Sequence, residues 1–281
     1  TQAFFVRLGA DNTTSDTSGY RGLDPQDLPG ATEDDESAGF TMTINSYTSE
    51  SGAISTIKIK LDSQPNDNVT LGVLSSDTTE GKITGISSGG TDNISFTTSD
   101  WNTYKSIVIT GQDDNLSDGN QSYKIELSAD STTTDLRYNG RDPSDVELIN
   151  LDDDTAGFVV SAVSRDTDES GQTAEFEVHL QSEPVDNVTI GLEVLDQTEG
   201  WIKTIGTKTV NGFSDNITFV TTNWNSSQRV VLEGLGDNES DGDQSYAIKL
   251  IQDNLTSDNL YRYLDPPDVS LRNLDLTAKG G

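Results

Sequence analysis

Hydrophobic and polar residues alternate strictly in several short stretches of the chain. In TAEFEVHL (173–180), every second residue from Ala174 to Leu180 is apolar, and the residues between them are polar. Four further stretches show the same period: ISTIKIKL (54–61), YKIEL (123–127), YAIKL (246–250) and FFVRL (4–8). A period of two, interrupted by turns rich in Asn, Asp, Gly and Ser, is typical of strands with one buried face. No stretch has the 3.6-residue period of an amphipathic helix, so the sequence predicts an all-β chain.

These stretches belong to a unit that is written twice. The segment DNVT at 67–70 recurs at 186–189, and DNISF at 92–96 matches DNITF at 215–219. Self-similarity at a long period indicates consecutive copies of one structural unit. About seven short strands in each unit favour an antiparallel sandwich. We therefore expect tandem antiparallel β-sandwiches of the immunoglobulin-like kind.

The N-terminal residues repeat only the last part of this unit. TQAFFVRLGAD at 1–11 aligns with NQSYKIELSAD at 120–130, and a later Asp-Pro pair matches as well. This pattern indicates a window on a longer array. The predicted organisation has four parts: the closing strands of a partial repeat over 1–36, a first repeat over 37–154, a second repeat over 155–275, and a tail over 276–281.

Net charge narrows the classes of function. Acidic residues outnumber basic residues 48 to 17, which gives a formal net charge of −31. Nucleic acids and anionic membrane surfaces attract Lys and Arg, so neither is an expected partner. No apolar run approaches the roughly 20 residues of a membrane span, so no membrane insertion is expected in this chain. Such a charge also strains the compact state through self-repulsion, which a bound cation would relieve.

The acidic residues concentrate where predicted strands end. LDDDTAGF at 151–158 joins the last strand of one repeat to the first strand of the next, and EDDESAGF at 33–40 is a near-copy of it. The loop QDDNLSDGNQ (112–121) lies between two strands, and Glu50 and its counterpart Glu169 lie in turns. Because turns that are distant in sequence meet at one end of a sandwich, we expect these carboxylates to converge.

Converging carboxylates are the ligands of a hard cation. Calcium takes roughly 6–8 oxygen ligands, whereas magnesium retains its water and rarely occupies an all-protein cage. Zinc would require His or Cys, but the chain has no cysteine, and its single histidine, His179, is on an outward strand face. The loop at 112–121 does not fit an EF-hand, because Leu116 and Ile125 occupy ligand positions. We expect several calcium ions; the alternative is that the acidic runs are solvated linkers.

Three features together resemble the Calx-beta family: the acid of the ESG turn, the DD-xxx-D-G loop, and the interdomain DDD-x-AGF. This family is the calcium-binding sandwich of sodium–calcium exchangers, and it recurs in bacterial surface proteins. The resemblance covers both repeats and the partial one. It implies calcium ligands at Glu50, Asp113, Asp114, Asp118, Asp152, Asp153 and Asp154 in the first repeat, at Glu169, Asp237, Asp241, Asp243 and Asp275 in the second, and at Asp34, Asp35 and Glu36 in the partial one.

The second repeat departs from the family's pattern. Gly236 stands where the first repeat has Asp113, and Leu276 and Thr277 follow Asp275 in place of two acids. We therefore expect the second site to be weaker or to hold fewer ions. The family's further aspartate in a mid-domain loop has no clean match here. Its loose candidates are Asp77 with Glu80 and Asp196 with Glu199.

The expected function is structural. No nucleophile–base pair and no phosphate-binding glycine loop is recognisable, so an enzyme is not expected. The resemblance implies an extracellular or cell-surface module, such as a stalk, adhesin or filament component, in which calcium stiffens an array of repeats. Three alternatives stay open: a calcium sensor, a carbohydrate- or partner-binding adhesive module with Trp201 stacking on a sugar, and self-assembly into filaments in which QAFFVRLGA (2–10) pairs with another chain.

Overall fold

All regular secondary structure that the computed structural model describes is β. The described residues are 2–10, 19–20, 22–87, 90–237, 239–252 and 255–276. The all-β prediction is confirmed. No helix in this part of the chain has the length and apolar character of a membrane-spanning segment. The predicted tail is described only at Leu276, and its residues 277–281 lie outside the described part.

The strands fall into three groups along the chain. The N-terminal pair comprises β1 (Gln2–Val6) and β2 (Leu28–Thr32). The first repeat comprises β3 (Phe40–Ile44), β4 (Tyr47–Ser49), β5 (Ile54–Leu61), β6 (Val69–Ser75), β7 (Gly81–Ile86), β8 (Asn93–Phe96), β9 (Lys105–Gly111), β10 (Gln121–Ser128) and β11 (Val146–Leu151). The second repeat comprises β12 (Phe158–Val160), β13 (Thr167–Asp168), β14 (Thr173–Leu180), β15 (Val188–Val194), β16 (Gly200–Ile205), β17 (Lys208–Gly212), β18 (Ser214–Phe219), β19 (Gln228–Gly234), β20 (Gln244–Gln252) and β21 (Val269–Leu274).

Each repeat is built from two sheets with corresponding strand orders. In the first repeat the orders are β4-β11-β10-β6-β8 and β3-β5-β9-β7. In the second they are β13-β21-β20-β15-β18 and β12-β14-β19-β16-β17. The opening strand of each repeat is divided between the two sheets, as β3 and β4 or as β12 and β13. Counting each divided strand once leaves eight strands in the first repeat and nine in the second, which includes the extra strand β17; both numbers are slightly above the predicted value of about seven.

The alternating residues form the interior as predicted. In β14, Ala174, Phe176, Val178 and Leu180 are each no more than 2% exposed. Among the described residues, the buried apolar side chains form one cluster in each repeat. Burying one such Val, Leu, Ile or Phe side chain stabilises the fold by roughly 1.5–3 kcal/mol. The boundaries after residues 36 and 154 stay predictions.

A buried tyrosine anchors the loop before the last strand of each repeat through hydrogen bonds. The Tyr138 hydroxyl donates to the Ser63 carbonyl oxygen (2.8 Å) and accepts from the Ser63 backbone N–H (3.1 Å). Tyr261 makes the same two contacts with Ser182, at 2.7 and 3.1 Å. Each tyrosine therefore ties the loop to the turn at the end of β5 or β14, at the end of the sandwich where the chain enters the repeat.

Two pairs of glycines let the strands approach closely. A Cβ atom on Gly81 would overlap the ring of Tyr123, and one on Gly200 would crowd Tyr246. A Cβ atom on Gly111, the last residue of β9, would overlap the Ser49 carbonyl oxygen of β4. Gly234 has the same relation to the second repeat's β13. Gly111 and Gly234 therefore allow β4 and β13 to lie directly against β9 and β19, the strands that lead into the loops rich in acidic residues.

The N-terminal pair reproduces the last two strands of a repeat without a sandwich. β1 and β2 pair antiparallel, with Pro29 opposite Phe5 in a ribbon whose two strands are both edges. The Leu8 N–H donates to Asp27 Oδ1 (3.0 Å), as the Leu127 N–H donates to Asp145 in the first repeat (3.0 Å). All five residues of β1 are exposed, because no second sheet covers them within the described part of the chain.

Candidate metal centre at the end of each repeat

The strand order brings distant acidic residues to one end of the first repeat. β4 and β11 run parallel, with Ser49 beside Leu151, so both strands end at the same place. The Glu50 N–H donates to the Leu151 carbonyl oxygen (3.0 Å), which holds the turn after β4 against the linker after β11. The loop between β9 and β10 reaches the same end, which we call the acidic pole of the repeat.

Two groups of carboxylates meet at this acidic pole. Oxygens of Glu50, Asp114 and Asp154 lie within 4.8 Å of one another, and oxygens of Glu50, Asp113 and Asp153 do so as well. Two ligands of one calcium ion, each about 2.3–2.6 Å from it, are separated by at most roughly 5 Å. Each group therefore has the spacing of ligands on a single ion, and the buried Glu50 is common to both.

The carboxylates of this pole repel one another. The pKa of Glu50 is raised to about 7, mainly by burial and also by the charges of Asp114, Asp152 and Asp154, although a hydrogen bond from the Asp153 N–H acts in the opposite direction. Burial also raises the pKa of Asp154, and the charges of Asp152 and Asp153 act in the same direction. Ionising these groups therefore costs free energy, which a bound cation would offset.

Asp152 and Asp118 occupy other positions at this pole. Both Asp152 oxygens accept backbone hydrogen bonds, from Gly119 (2.6 Å) and from Asp154 (2.8 Å), so this side chain fixes the shape of the linker and the loop. Asp118 is in neither group. The pKa of Glu80 is raised mainly by burial, and the charge of Asp118 raises it as well. Glu80, which the sequence offered only as a loose candidate, thus faces the acidic loop.

A buried amide in each repeat holds the parts of the pole together. Asn150 Nδ2 donates to the Gln112 carbonyl oxygen (2.9 Å) and to Glu80 Oε2 (3.3 Å), while Thr48 Oγ1 donates to Asn150 Oδ1 (2.9 Å). In the second repeat, Asn273 makes the corresponding contacts with the residues Leu235, Glu199 and Thr167. Neither asparagine was predicted as a site residue from the sequence, although each stands next to the last residue of the closing strand.

The second repeat gathers a different set of acids. Oxygens of Glu199, Asp237 and Asp241 lie within 4.8 Å of one another. Asp237 and Asp241 were predicted, whereas Glu199 was only a loose candidate. The signal was available in the TEG segment, which occurs at both 79–81 and 198–200 and places Glu80 and Glu199 directly before β7 and β16.

The other predicted acids of the second repeat lie outside this group. Glu169 Oε2 accepts from the Leu276 N–H (3.3 Å), and Asp275 Oδ2 accepts from the Gly242 N–H (3.1 Å). Asp243 forms an ion pair with Arg272 (3.3 Å). Gly236 and Leu276 stand in the places of Asp113 and Asp153, so the group that these two aspartates form with Glu50 has no equivalent around Glu169.

The acids of the partial repeat join no such group within the described residues. Asp34, Asp35 and Glu36 are exposed. A hydrogen bond with Asp34 is the main cause that raises the pKa of Glu36, and the charge of Asp35 adds to it. The described N-terminal pair has no counterpart of β4 or of the loop at 112–121, which supply Glu50, Asp113 and Asp114 in the first repeat.

The acidic pole of the first repeat contacts the second repeat. The Glu183 N–H donates to the Asn115 carbonyl oxygen (2.7 Å), and Leu116 forms an isolated parallel bridge with Glu183. Asn115 lies in the acidic loop, and Glu183 follows β14. The two carboxylate groups around Glu50 therefore lie at the junction that the linker 152–157 crosses.

The tryptophans make no comparable cluster. Trp101 and Trp224 pack against the cores of the first and second repeat, respectively. Trp201 lies half-buried in β16, opposite Glu233, and its indole N–H has no acceptor among the described residues. A sugar-stacking role for Trp201 stays a prediction.

Comparison with known proteins gives no family assignment. No protein-family model matches the chain, and no curated protein matches it in sequence. Solved structures with similar folds include the calcium binding domain CBD12 of CALX1.1, at 13% identity and a TM-score of 0.34, covering 82% of this chain and 96% of that one. The Yersinia pseudotuberculosis adhesin InvE matches at 11% identity and a TM-score of 0.27, covering 85% of this chain and 60% of that one.

The collagen adhesin CNA from S. aureus also matches, at 10% identity and a TM-score of 0.25, covering 85% of this chain and 92% of that one. These proteins are β-sandwiches like the present chain, but TM-scores this low establish no relationship.

Proposed function

We propose that the acidic poles bind calcium and that the bound ions stiffen the junction between consecutive repeats, in a non-catalytic spacer of an extracellular or cell-surface protein. The observation that carries this proposal is the pair of carboxylate groups sharing Glu50. Each group combines Glu50 of the turn after β4, one aspartate of the loop after β9, and one aspartate of the linker to the next repeat.

The donor set fits calcium. All the grouped atoms are carboxylate oxygens, with the spacing that ligands at about 2.3–2.6 Å from one ion require. Glu50, Asp114 and Asp154 would hold one ion, and Glu50, Asp113 and Asp153 a second. Magnesium requires a tighter octahedral arrangement and retains several waters, so it is the weaker candidate. In the second repeat, Glu199, Asp237 and Asp241 would hold a further ion.

The mechanical effect follows from where the ligands originate. Asp153 and Asp154 belong to the linker, whereas Glu50, Asp113 and Asp114 belong to the body of the first repeat. Without a cation these charges repel, so the linker is pushed away from the repeat. With a cation the linker is fastened to the pole, where the contact between Glu183 and Asn115 is already made. The second repeat then keeps one orientation relative to the first.

Small-angle X-ray scattering of the whole chain tests this proposal. The chain is measured in chelator, in millimolar calcium and in millimolar magnesium. We expect calcium to narrow the distribution of distances between the two repeats and to lengthen the mean particle, with little change in magnesium. The double variant Asp113→Asn with Asp153→Asn should lose the calcium response.

A matched control removes the same charge elsewhere. Glu126 and Glu147 are exposed on the outer faces of β10 and β11, so Glu126→Gln with Glu147→Gln should leave the calcium response intact. Identical scattering in calcium and chelator, with no calorimetric binding, would refute the proposal. Micromolar affinity with a rearrangement inside one repeat would instead indicate a calcium sensor, because a spacer at extracellular calcium needs only the weak affinity of extracellular modules, about 0.1–1 mM.

A further inference from the structure

The second part of the opening strand and the last strand of each repeat pair in parallel. β4 lies beside β11, with Tyr47, Thr48 and Ser49 opposite the last three residues of β11. β13 lies beside β21 in the same way, with Thr167 and Asp168 opposite the last two residues of β21. The other strand pairs described for the chain are antiparallel, so the parallel ones stand out as the pairs that join the beginning of a repeat to its end.

Tension along the array would reach this parallel pair from opposite directions. The chain enters the first repeat at Gly39, whose carbonyl oxygen accepts from the Asp62 N–H just after β5. It leaves at Leu151, beside Glu50, just before β5 begins. The eight residues of β5 separate these two points by about 26 Å at roughly 3.3 Å per residue.

Pulling the two ends apart draws β4 towards its N-terminus and β11 towards its C-terminus. Because the strands are parallel, they can move only by sliding along each other, and their hydrogen bonds must break together. We infer that β4–β11 and β13–β21 are mechanical clamps that make each repeat resist tension along the array. This inference goes beyond the stiffening of junctions, since it concerns the unfolding of a repeat under load.

Side chains reinforce the clamp at its acidic end. Thr48 Oγ1 donates to Asn150 Oδ1 (2.9 Å), which links the two strands directly. Beyond the last pair, the Glu50 N–H donates to the Leu151 carbonyl oxygen (3.0 Å), and the Asp153 N–H donates to Glu50 Oε2 (3.3 Å). In the second repeat, Glu169 makes the matching contacts with Leu274 and Leu276, at 3.2 and 3.3 Å.

The candidate calcium ligands extend the same clamp. Glu50 follows β4 directly, and Asp153 and Asp154 follow β11. Each of the two ions would therefore join Glu50 to one of these two aspartates and would have to lose a ligand before the strands slide. This part rests on the proposed function. It predicts that calcium raises the force needed to unfold the first repeat more than the second, because Glu169 belongs to no carboxylate group among the described residues.

Single-molecule force spectroscopy on the whole chain tests the clamp. The chain has no cysteine, so introduced cysteines serve as unique handles. Ser37→Cys with Thr155→Cys loads β4–β11 by sliding. Ser37→Cys with Ser144→Cys pulls both strands from the end at which β11 begins, so their pairs separate one after another. These three positions are exposed.

In chelator we expect a rupture force about two- to threefold higher for the sliding handles, because three residue pairs then share the load. Equal forces in the two geometries would overturn the clamp, whatever calcium does. In calcium the sliding force should rise further, and Glu50→Gln should abolish that rise. A geometry difference in chelator with no effect of calcium would support the clamp while refuting the proposed calcium site.

Discussion

Glu50 offers the sharpest test of the electrostatics of the first acidic pole. Its side chain is buried, and its pKa is about 7 in the folded protein against an ordinary value of 4.5. Ionised Glu50 therefore destabilises the metal-free fold by about 3 kcal/mol, taking roughly 1.4 kcal/mol per pKa unit. A difference of this size is a large fraction of the stability of an ordinary domain, roughly 5–15 kcal/mol.

The sign of the pH dependence follows from the direction of the shift. The folded state binds the Glu50 proton more tightly than the unfolded state does, so metal-free stability falls as pH rises from 4.5 through 7. Glu50→Gln removes this ionisation and keeps an oxygen that can accept the Asp153 N–H. In chelator the variant should be more stable than the wild type by about 3 kcal/mol at pH 8 and by about 1 kcal/mol at pH 5.

Calcium should reverse the order of stability of the wild type and the Glu50→Gln variant. Glu50 is common to both carboxylate groups, so the Gln variant would lose a charged ligand of both proposed ions. Binding to the folded state alone stabilises it by about 3 kcal/mol at a hundredfold excess over the dissociation constant. The wild type should therefore gain stability in calcium at pH 8, and the Gln variant should gain much less.

Hydrogen exchange across a urea series resolves the two repeats in one sample. Peptides from β5 and β9 report on the first repeat, while peptides from β14 and β19 provide an internal control that the substitution should not affect. The low pH is set at 5 because the isoelectric point is near 4.1, where the chain carries little net charge. A Gln variant that is no more stable than the wild type at pH 8 in chelator would refute the reasoning about Glu50.

Three further predictions concern other parts of the molecule. Glu199→Gln should reduce calcium binding in the second repeat, measured by titration calorimetry, whereas Glu169→Gln should change it little; the opposite ranking would contradict the grouping found there. Tyr138→Phe should lower the unfolding free energy of the first repeat by about 1–3 kcal/mol, because it leaves buried groups unpaired. Its calcium affinity should stay unchanged, which would show that the loss of stability does not arise at the acidic pole. Gly111→Ala should lower both stability and calcium affinity through its clash with a carbonyl oxygen of β4, while Gly85→Ala, with ordinary contacts only, should leave calcium affinity unchanged.

The interior of each repeat could be predicted from the sequence because the signal is local. Alternation in TAEFEVHL identifies which side chains of β14 are buried, since successive residues of a strand point to opposite faces. The same holds for the position of the acids at strand ends, which follows from turn residues next to alternating stretches. Neither inference requires knowledge of which strands are neighbours.

The membership of the carboxylate groups depends on strand order instead. Glu50 and Asp154 are far apart in sequence, and only the parallel pairing of β4 with β11 brings them together. Asp152 stands in the same acidic triplet as Asp153 and Asp154, yet its oxygens accept backbone N–H groups. Adjacent residues of identical type thus have different roles, because Asp153 and Asp154, unlike Asp152, belong to the carboxylate groups around Glu50.

The sequence by itself determined the all-β class, the duplicated unit, the buried face of the main strands and the strand ends at which acids concentrate. Each of these depends on periodicity or on residue type, which are visible over a few positions. Tertiary structure alone decided that Glu199 joins Asp237 and Asp241, that Asn150 and Asn273 hold the acidic poles, and that the terminal strands of each repeat run parallel. These features depend on contacts between residues distant in the chain, which strand pairing establishes and local sequence does not encode.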